Sequence, residues 1–152
     1  MKTQLCETLG IDAPIFAFTH CRDVAVEVSK AGGLGCLGAA YMTPEEFREH
    51  LDWMDAHIGD KTYGVDIPFN PRRPNKDGQQ ITIEQVDQLI WDMIPPGHVA
   101  FAEKLLQEAG VPPWPEGDRP SMRTMAYEMG VQIFEETLRH PKCKVMVSAM
   151  GT

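Results

Sequence analysis

Between two helical patterns the chain carries Ala31-Gly32-Gly33-Leu34-Gly35-Cys36-Leu37-Gly38-Ala39, and no other stretch restricts the fold as much. Leu34, Cys36 and Leu37 supply apolar bulk, so the segment reads as a short buried strand entered through a glycine turn. The glycines let backbone come close to something else, either a neighbouring helix or a flat ligand.

Gly33-Leu34-Gly35-Cys36-Leu37-Gly38 also matches the dinucleotide fingerprint G-x-G-x-x-G letter for letter. That fingerprint needs a strand before it and a helix opening within it, because the helix N-terminus must face the pyrophosphate. Here the order is reversed. A helical pattern (Val24, Val28, Ala31) leads in, and no helix starts before Thr43. Asp52 and Asp55, about 20 positions on, fall inside a helix and not at a strand end. Glycine packing within a β/α unit is the better reading.

In chain order, Ile15-Phe16-Ala17-Phe18 follows Pro14 as a fully apolar strand, the pattern of a parallel strand covered on both faces. Thr19-His20-Cys21-Arg22-Asp23 is a polar loop, and residues 23–31 form a helix with Val24, Val28 and Ala31 on one face. After the glycine-rich strand, Thr43-Pro44-Glu45-Glu46 combines an N-cap threonine, proline at the first helical position and glutamate at the third. Phe47, Leu51, Met54 and Ile58 recur at helical spacing until Gly59. Thr62-Tyr63-Gly64-Val65-Asp66-Ile67 is a third strand, stopped by Pro68.

A loop with Arg72, Arg73 and Lys76 comes next, then a helix from near Thr82 that Pro95 and Pro96 break. Val99 to Ala109 form another helix, with Phe101, Leu105 and Leu106 inward. A proline-rich loop holds Trp114, which reads as a loop anchor or a lid element. Met122, Met125, Met129, Ile133 and Phe134 stripe a helix reaching about His140, and Lys144–Ala149 is a fourth strand.

This alternation implies a parallel sheet with right-handed crossovers. The expected fold class is α/β: the N-terminal half of a (β/α)8 barrel. About four parallel strands make one partial barrel domain over 1–152, and 68–140 is a loop and helical insertion between strands three and four. The formal charge of −8 argues against nucleic acid, which wants a basic face. No run reaches the roughly 18 apolar residues of a membrane helix, and the N-terminus lacks a signal-peptide core. Four scattered cysteines without C-x-x-C spacing suggest reduced thiols in a cytoplasmic protein.

Three segments together resemble a known family. They are Pro14-Ile15-Phe16-Ala17-Phe18-Thr19-His20-Cys21-Arg22-Asp23, Ser29-Lys30-Ala31-Gly32-Gly33-Leu34-Gly35 and Tyr63-Gly64-Val65-Asp66. They look like the first three strands of nitronate monooxygenases, the 2-nitropropane-dioxygenase-like, FMN-dependent (β/α)8 barrels. Val145-Met146-Val147-Ser148-Ala149-Met150-Gly151-Thr152 resembles that family's fourth strand.

The resemblance implies FMN at the carboxyl ends of the strands, where chemistry sits in such barrels. Carried over by motif, the flavin contacts fall on Ala17, Phe18, Thr19 and His20 of the first turn, on Asp66 and on Ser148. It implies oxidation of a nitronate, a small-molecule substrate, with O2. Relatives often have Ala-Pro-Met where Phe18-Thr19-His20 stands, and an asparagine where Asp66 stands. The family's phosphate site and catalytic histidine lie in its second half. The chain is therefore expected to be an N-terminal portion that binds FMN poorly alone. An FMN-dependent enoyl reductase is one alternative. Another is a non-catalytic half-barrel that completes itself as a homo-oligomer.

His20, in the first β/α loop, is the candidate catalytic residue; otherwise it is an exposed loop histidine. Asp66 is a flavin contact or a cap for the following turn. No histidine or aspartate is placed beside Cys21 or Cys36 by spacing, so both read as buried small hydrophobes. His50 and His57 share a helix face without a completing carboxylate, so no metal site is expected.

Overall fold

The computed structural model describes residues 2–69, 78, 81–113 and 126–149. The loop cations Arg72, Arg73 and Lys76, the loop residue Trp114, and Met122 and Met125 lie outside the described residues. The chain divides into two units, Met1–Arg72 with Thr124–Thr152, and Arg73–Arg123.

In the first unit, α1 (Gln4–Leu9) precedes β1 (Phe16–Thr19), α2 (Arg22–Lys30), β2 (Leu34–Gly38), α3 (Pro44–His57) and β3 (Tyr63–Asp66). The second unit holds α4 (Ile83–Met93) and α5 (Pro96–Glu108). The first unit then resumes with α6 (Tyr127–Thr137) and β4 (Cys143–Val147). The four strands form one all-parallel sheet in the order β1-β2-β3-β4. That is the α/β half-barrel arrangement expected.

Local sequence explains the helix starts. Thr43 Oγ1 accepts from the Glu46 N–H at 3.2 Å, and Glu46 Oε2 accepts from the Thr43 N–H at 2.8 Å, so α3 opens on a complete capping box. At the start of α4, Gln85 Oε1 accepts from the Thr82 N–H at 3.0 Å. Pro96 stands inside the first turn of α5, where its missing N–H has no intrahelical partner to lose. Helix α1 was not legible as a periodic pattern. Six residues are too few, and only its ends signal it: Thr3 as N-cap and Gly10 in the left-handed conformation at the C-cap.

The register assigns faces. Phe16, Phe18, Leu34, Cys36, Gly64 and Val145 fall on one face of the sheet, and Ala17, Gly35, Leu37, Tyr63 and Val65 on the other. The second face builds the main core with α2, α3 and α6, around Phe47, Leu51, Met54, Leu37, Val65, Ile67 and Ile133. The first face is covered only at its amino end, where Cys6 and Ile11 of the α1 segment pack on Leu34 and Cys36. This face would be the inside of a barrel, and α1 plugs its bottom.

Four expectations need correcting. The first strand is not covered on both faces: β1 is an edge strand, and Phe16 and Phe18 are 44% and 57% exposed. Val24 does not face the core; Ala25, Val26 and Ser29 do. A close approach of α2 to β2 selects small side chains over the bulky one. Cys21 is exposed, because it precedes α2 on the rim, whereas Cys36 is buried as expected. Phe101, Leu105 and Leu106 are exposed, and α5 has no buried residue. An apolar stripe is buried only where a surface meets it.

At the amino end of the sheet, Asp55 ties three elements together. Its Oδ1 accepts from the Tyr63 hydroxyl at 3.1 Å, and its Oδ2 lies 2.8 Å from His140 Nδ1. Its carbonyl accepts from Lys142 Nζ at 2.7 Å. Tyr63 and His140 are buried, so Asp55→Ala strands two polar groups at once. The expected cost is about 2–4 kcal/mol in urea unfolding. A midpoint unmoved from the unchanged chain would show that the node contributes nothing.

Among the described residues no helix is long and apolar enough to cross a membrane.

Candidate functional site

At the carboxyl end of the sheet the inner face changes character. Below, Leu34 and Cys36 are packed over by the α1 segment. One step up β2, Gly38 has no side chain, and its register partner on β3 is Asp66. A Cβ on Gly38 would lie 2.7 Å from the far end of the Phe18 ring and 2.9 Å from His20 Cε1. Phe18 and His20 meet edge to face, with centroids 5.0 Å apart. The rings therefore rest on the glycine, and both residues are exposed on their other side.

Lower on the same face, a Cβ on Gly64 would lie 2.8 Å from Cys36 Sγ. The two glycines each admit a close side chain, Gly64 the Cys36 thiol and Gly38 the two rings. Asp66 stands beside Gly38 on the next strand. Its Oδ1 accepts from the Ala149 N–H at 3.2 Å, which anchors the exit of β4 to that of β3. Its main-chain carbonyl accepts from the Ala39 N–H at 2.9 Å. An ionised carboxylate only accepts, so its remaining lone pairs suit a ligand N–H or O–H.

Of the residues expected at the site, Phe18, His20 and Asp66 come together on this face. Ala17 and Thr19 alternate to the helix side, and Ala17 is paired with Gly35 across the β1–β2 ladder. Thr19 Oγ1 accepts from the Cys21 N–H at 3.0 Å, closing the turn into α2. These two residues offer backbone, not side chains, to the inner face. Ser148 directly follows β4 at the same end. Gly38 and Cys36 were not singled out as site residues by sequence. The alternation Leu34-Cys36-Gly38 on one face and Gly35-Leu37 on the other was the available signal.

The glycine stretch meets a neighbouring helix at one position and protein side chains at another. Gly35 faces the main chain of α2 at Ala25, closer than any Cβ could stand. Gly38 faces the ring pair. No helix opens within the stretch, and α3 begins only at Pro44, so the geometry of a dinucleotide fingerprint is absent.

Burial, then the charge of Asp66, raises the Cys36 pKa, so this thiol stays protonated and is a neutral core residue rather than a nucleophile. Burial likewise pushes Cys143 up to about 12 from 9.0, and raises Tyr63, with Asp55 adding to the latter. All three are neutral when protonated and ionise more readily in the unfolded chain. Above pH 9 the unfolded state sheds protons that the folded state keeps, so stability falls as pH rises. The urea midpoint should drop between pH 8 and pH 11, and Cys143→Ala should flatten that drop. Equal midpoints at the two pH values would contradict the burial of these groups.

Among the described residues no group of three or more histidine, cysteine, aspartate or glutamate side chains is placed to hold a metal ion.

No family model matches the chain. Over 121 residues, 80% of its length, it is 40% identical to a protein of Mycobacterium tuberculosis named "Putative monooxygenase Rv1533". The match covers 31% of that relative, so the chain spans about a third of the length of the curated protein it resembles.

Proposed function

We propose that this chain forms the flavin-ring side of an FMN-dependent oxidoreductase that oxidises nitronates, the anions of nitroalkanes, with O2. One observation carries the reading. The Phe18–His20 ring pair is seated on Gly38 at the carboxyl end of a parallel sheet, with the Asp66 carboxylate at the same level on the next strand. The mycobacterial relative, itself named a putative monooxygenase, supports the reaction class.

The residues fit the ring portion of FMN. Phe18 offers an exposed aromatic face. Asp66 can accept from an N–H. When bound, FMN supplies the redox chemistry. His20, at the rim, can hold or release a proton at an imidazole nitrogen next to a bound substrate. Phe18, Gly38, Asp66 and Ser148 provide no cation for a phosphate, so the affinity of this chain alone should be weak.

The test is an FMN titration of the chain followed by amide chemical shifts. Saturable binding with a dissociation constant of about 0.1–1 mM is expected. The shifts should concentrate at residues 17–20, 36–39, 64–66 and 147–149. Failure to saturate at millimolar FMN, or shifts centred elsewhere, would remove the flavin reading.

A second reading has its own support. Among the described residues no strand pairs with the outer edge of β1, and Ile15, Phe16 and Phe18 are all exposed along it. Self-association through this edge would cover them. Sedimentation equilibrium distinguishes a monomer from a homo-oligomer directly.

A further inference from the structure

Helix α5 carries an apolar face along which α4, its neighbour in the second unit, does not pack. Ile94 is held extended ahead of Pro95, so the chain turns out of α4 before α5 begins. Phe101, Leu105 and Leu106 are 63%, 48% and 40% exposed, and with Ala102 they recur at helical spacing on one side of α5. The helix closes in a Schellman turn. The Val111 N–H donates to the Leu106 carbonyl at 2.9 Å and the Gly110 N–H to the Gln107 carbonyl at 3.1 Å. Val111, 46% exposed, is thereby wound back onto the end of the same face. Along one flank runs the exposed ion pair of Lys104 with Glu108, 3.7 Å apart.

The charges on that flank select what can cover the face. Two antiparallel helices related by a two-fold axis bring the same flank of each together. With the axis at Leu106, Lys104 of either copy stands level with Glu108 of the other. The same register sets Phe101 opposite Val111, Ala102 opposite Gly110 and Leu106 against its counterpart. Glu103 falls opposite Ala109, so no like charges meet. We propose that α5 docks on α5 of a second copy of this chain in this antiparallel register. The contact is independent of the flavin reading and uses a different surface from the β1 edge. One helix of 13 residues buries less than the roughly 800 Å² per partner of a standard interface, so a dissociation constant of about 10–100 µM is expected.

The experiment is sedimentation equilibrium of the full chain up to about 0.3 mM, with Lys104→Glu, Glu108→Lys and Ile15→Lys variants. The unchanged chain should show a reversible monomer–dimer equilibrium. Lys104→Glu and Glu108→Lys, both at exposed positions, should melt within about 2 °C of it and each self-associate at least tenfold more weakly. An equimolar mixture of these two variants should recover association to within about threefold of the unchanged chain. The ion pair within each helix stays broken in that mixture, so only pairing between copies can restore it. A chain that stays monomeric, or a mixture no better than its components, would overturn the proposal. So would loss of the dimer in Ile15→Lys with its retention in both α5 variants, which would place the contact on the β1 edge.

Discussion

Gly35→Ala is expected to destabilise the chain by more than about 3 kcal/mol, lowering its melting temperature by roughly 6–12 °C. One methyl group does this because of what it would meet. A Cβ at position 35 would overlap the carbonyl group of Ala25, with the Ala25 Cα 2.6 Å away. These are main-chain atoms in the middle of α2, so no rotamer change relieves the contact. The helix must move off the sheet as a body. Moving it disturbs Val26, which is packed in the main core, and Ser29, whose Oγ accepts from the buried Gly35 N–H at 3.0 Å. A domain's whole stability is about 5–15 kcal/mol, so the loss is a large share of it. The double variant Ala25→Gly, Gly35→Ala should not recover stability, since removing the Ala25 side chain leaves the clashing backbone in place. Recovery in that variant, or a Gly35→Ala chain as stable as the original, would show that α2 and β2 are not in backbone contact.

What could be read from sequence follows the range of the interactions. The α3 start was legible because Thr43 and Glu46 satisfy one another three residues apart. The third strand was legible because Tyr63–Asp66 is bracketed by Gly59 and Pro68. The parallel order followed from helices recurring between strands, as the pairing of β1 through β4 in sequence order bears out. The face of α2 was misread because hydrophobicity marks bulk, whereas the contact with Gly35 needs Ala25 and Ser29. The Asp55–His140 contact joins residues 85 apart, and no spacing rule reaches that far.

The candidate site was legible by a different route. Phe18, His20 and Asp66 were placed by resemblance, and their shared face is set by strand register, which a one-residue slip would reverse. Ala17 and Thr19 came with them as neighbours in sequence, but alternation sends their side chains to the other face.

Gly38→Val should separate function from stability in the same motif. The added side chain again meets atoms closer than 3 Å, but these are Phe18 Cε2 and Cζ and His20 Cε1. They are the far ends of two exposed rings and can swing aside. A β-branched residue also suits a strand, so the stability change should stay within about 1 kcal/mol. The displaced rings are the Phe18–His20 pair on which the proposed ligand would rest. FMN binding by Gly38→Val should therefore weaken at least tenfold, about 1.4 kcal/mol, with the melting temperature within about 4 °C of the unchanged chain. Gly35→Ala and Gly38→Val thus make a paired test of one glycine-rich strand, with the first expected to lose the fold and the second the ligand. If Gly38→Val binds FMN as the unchanged chain does, the Phe18–His20 platform is not where the flavin rests. If it unfolds instead, the rings are structural, and the inner face at this level belongs to the core.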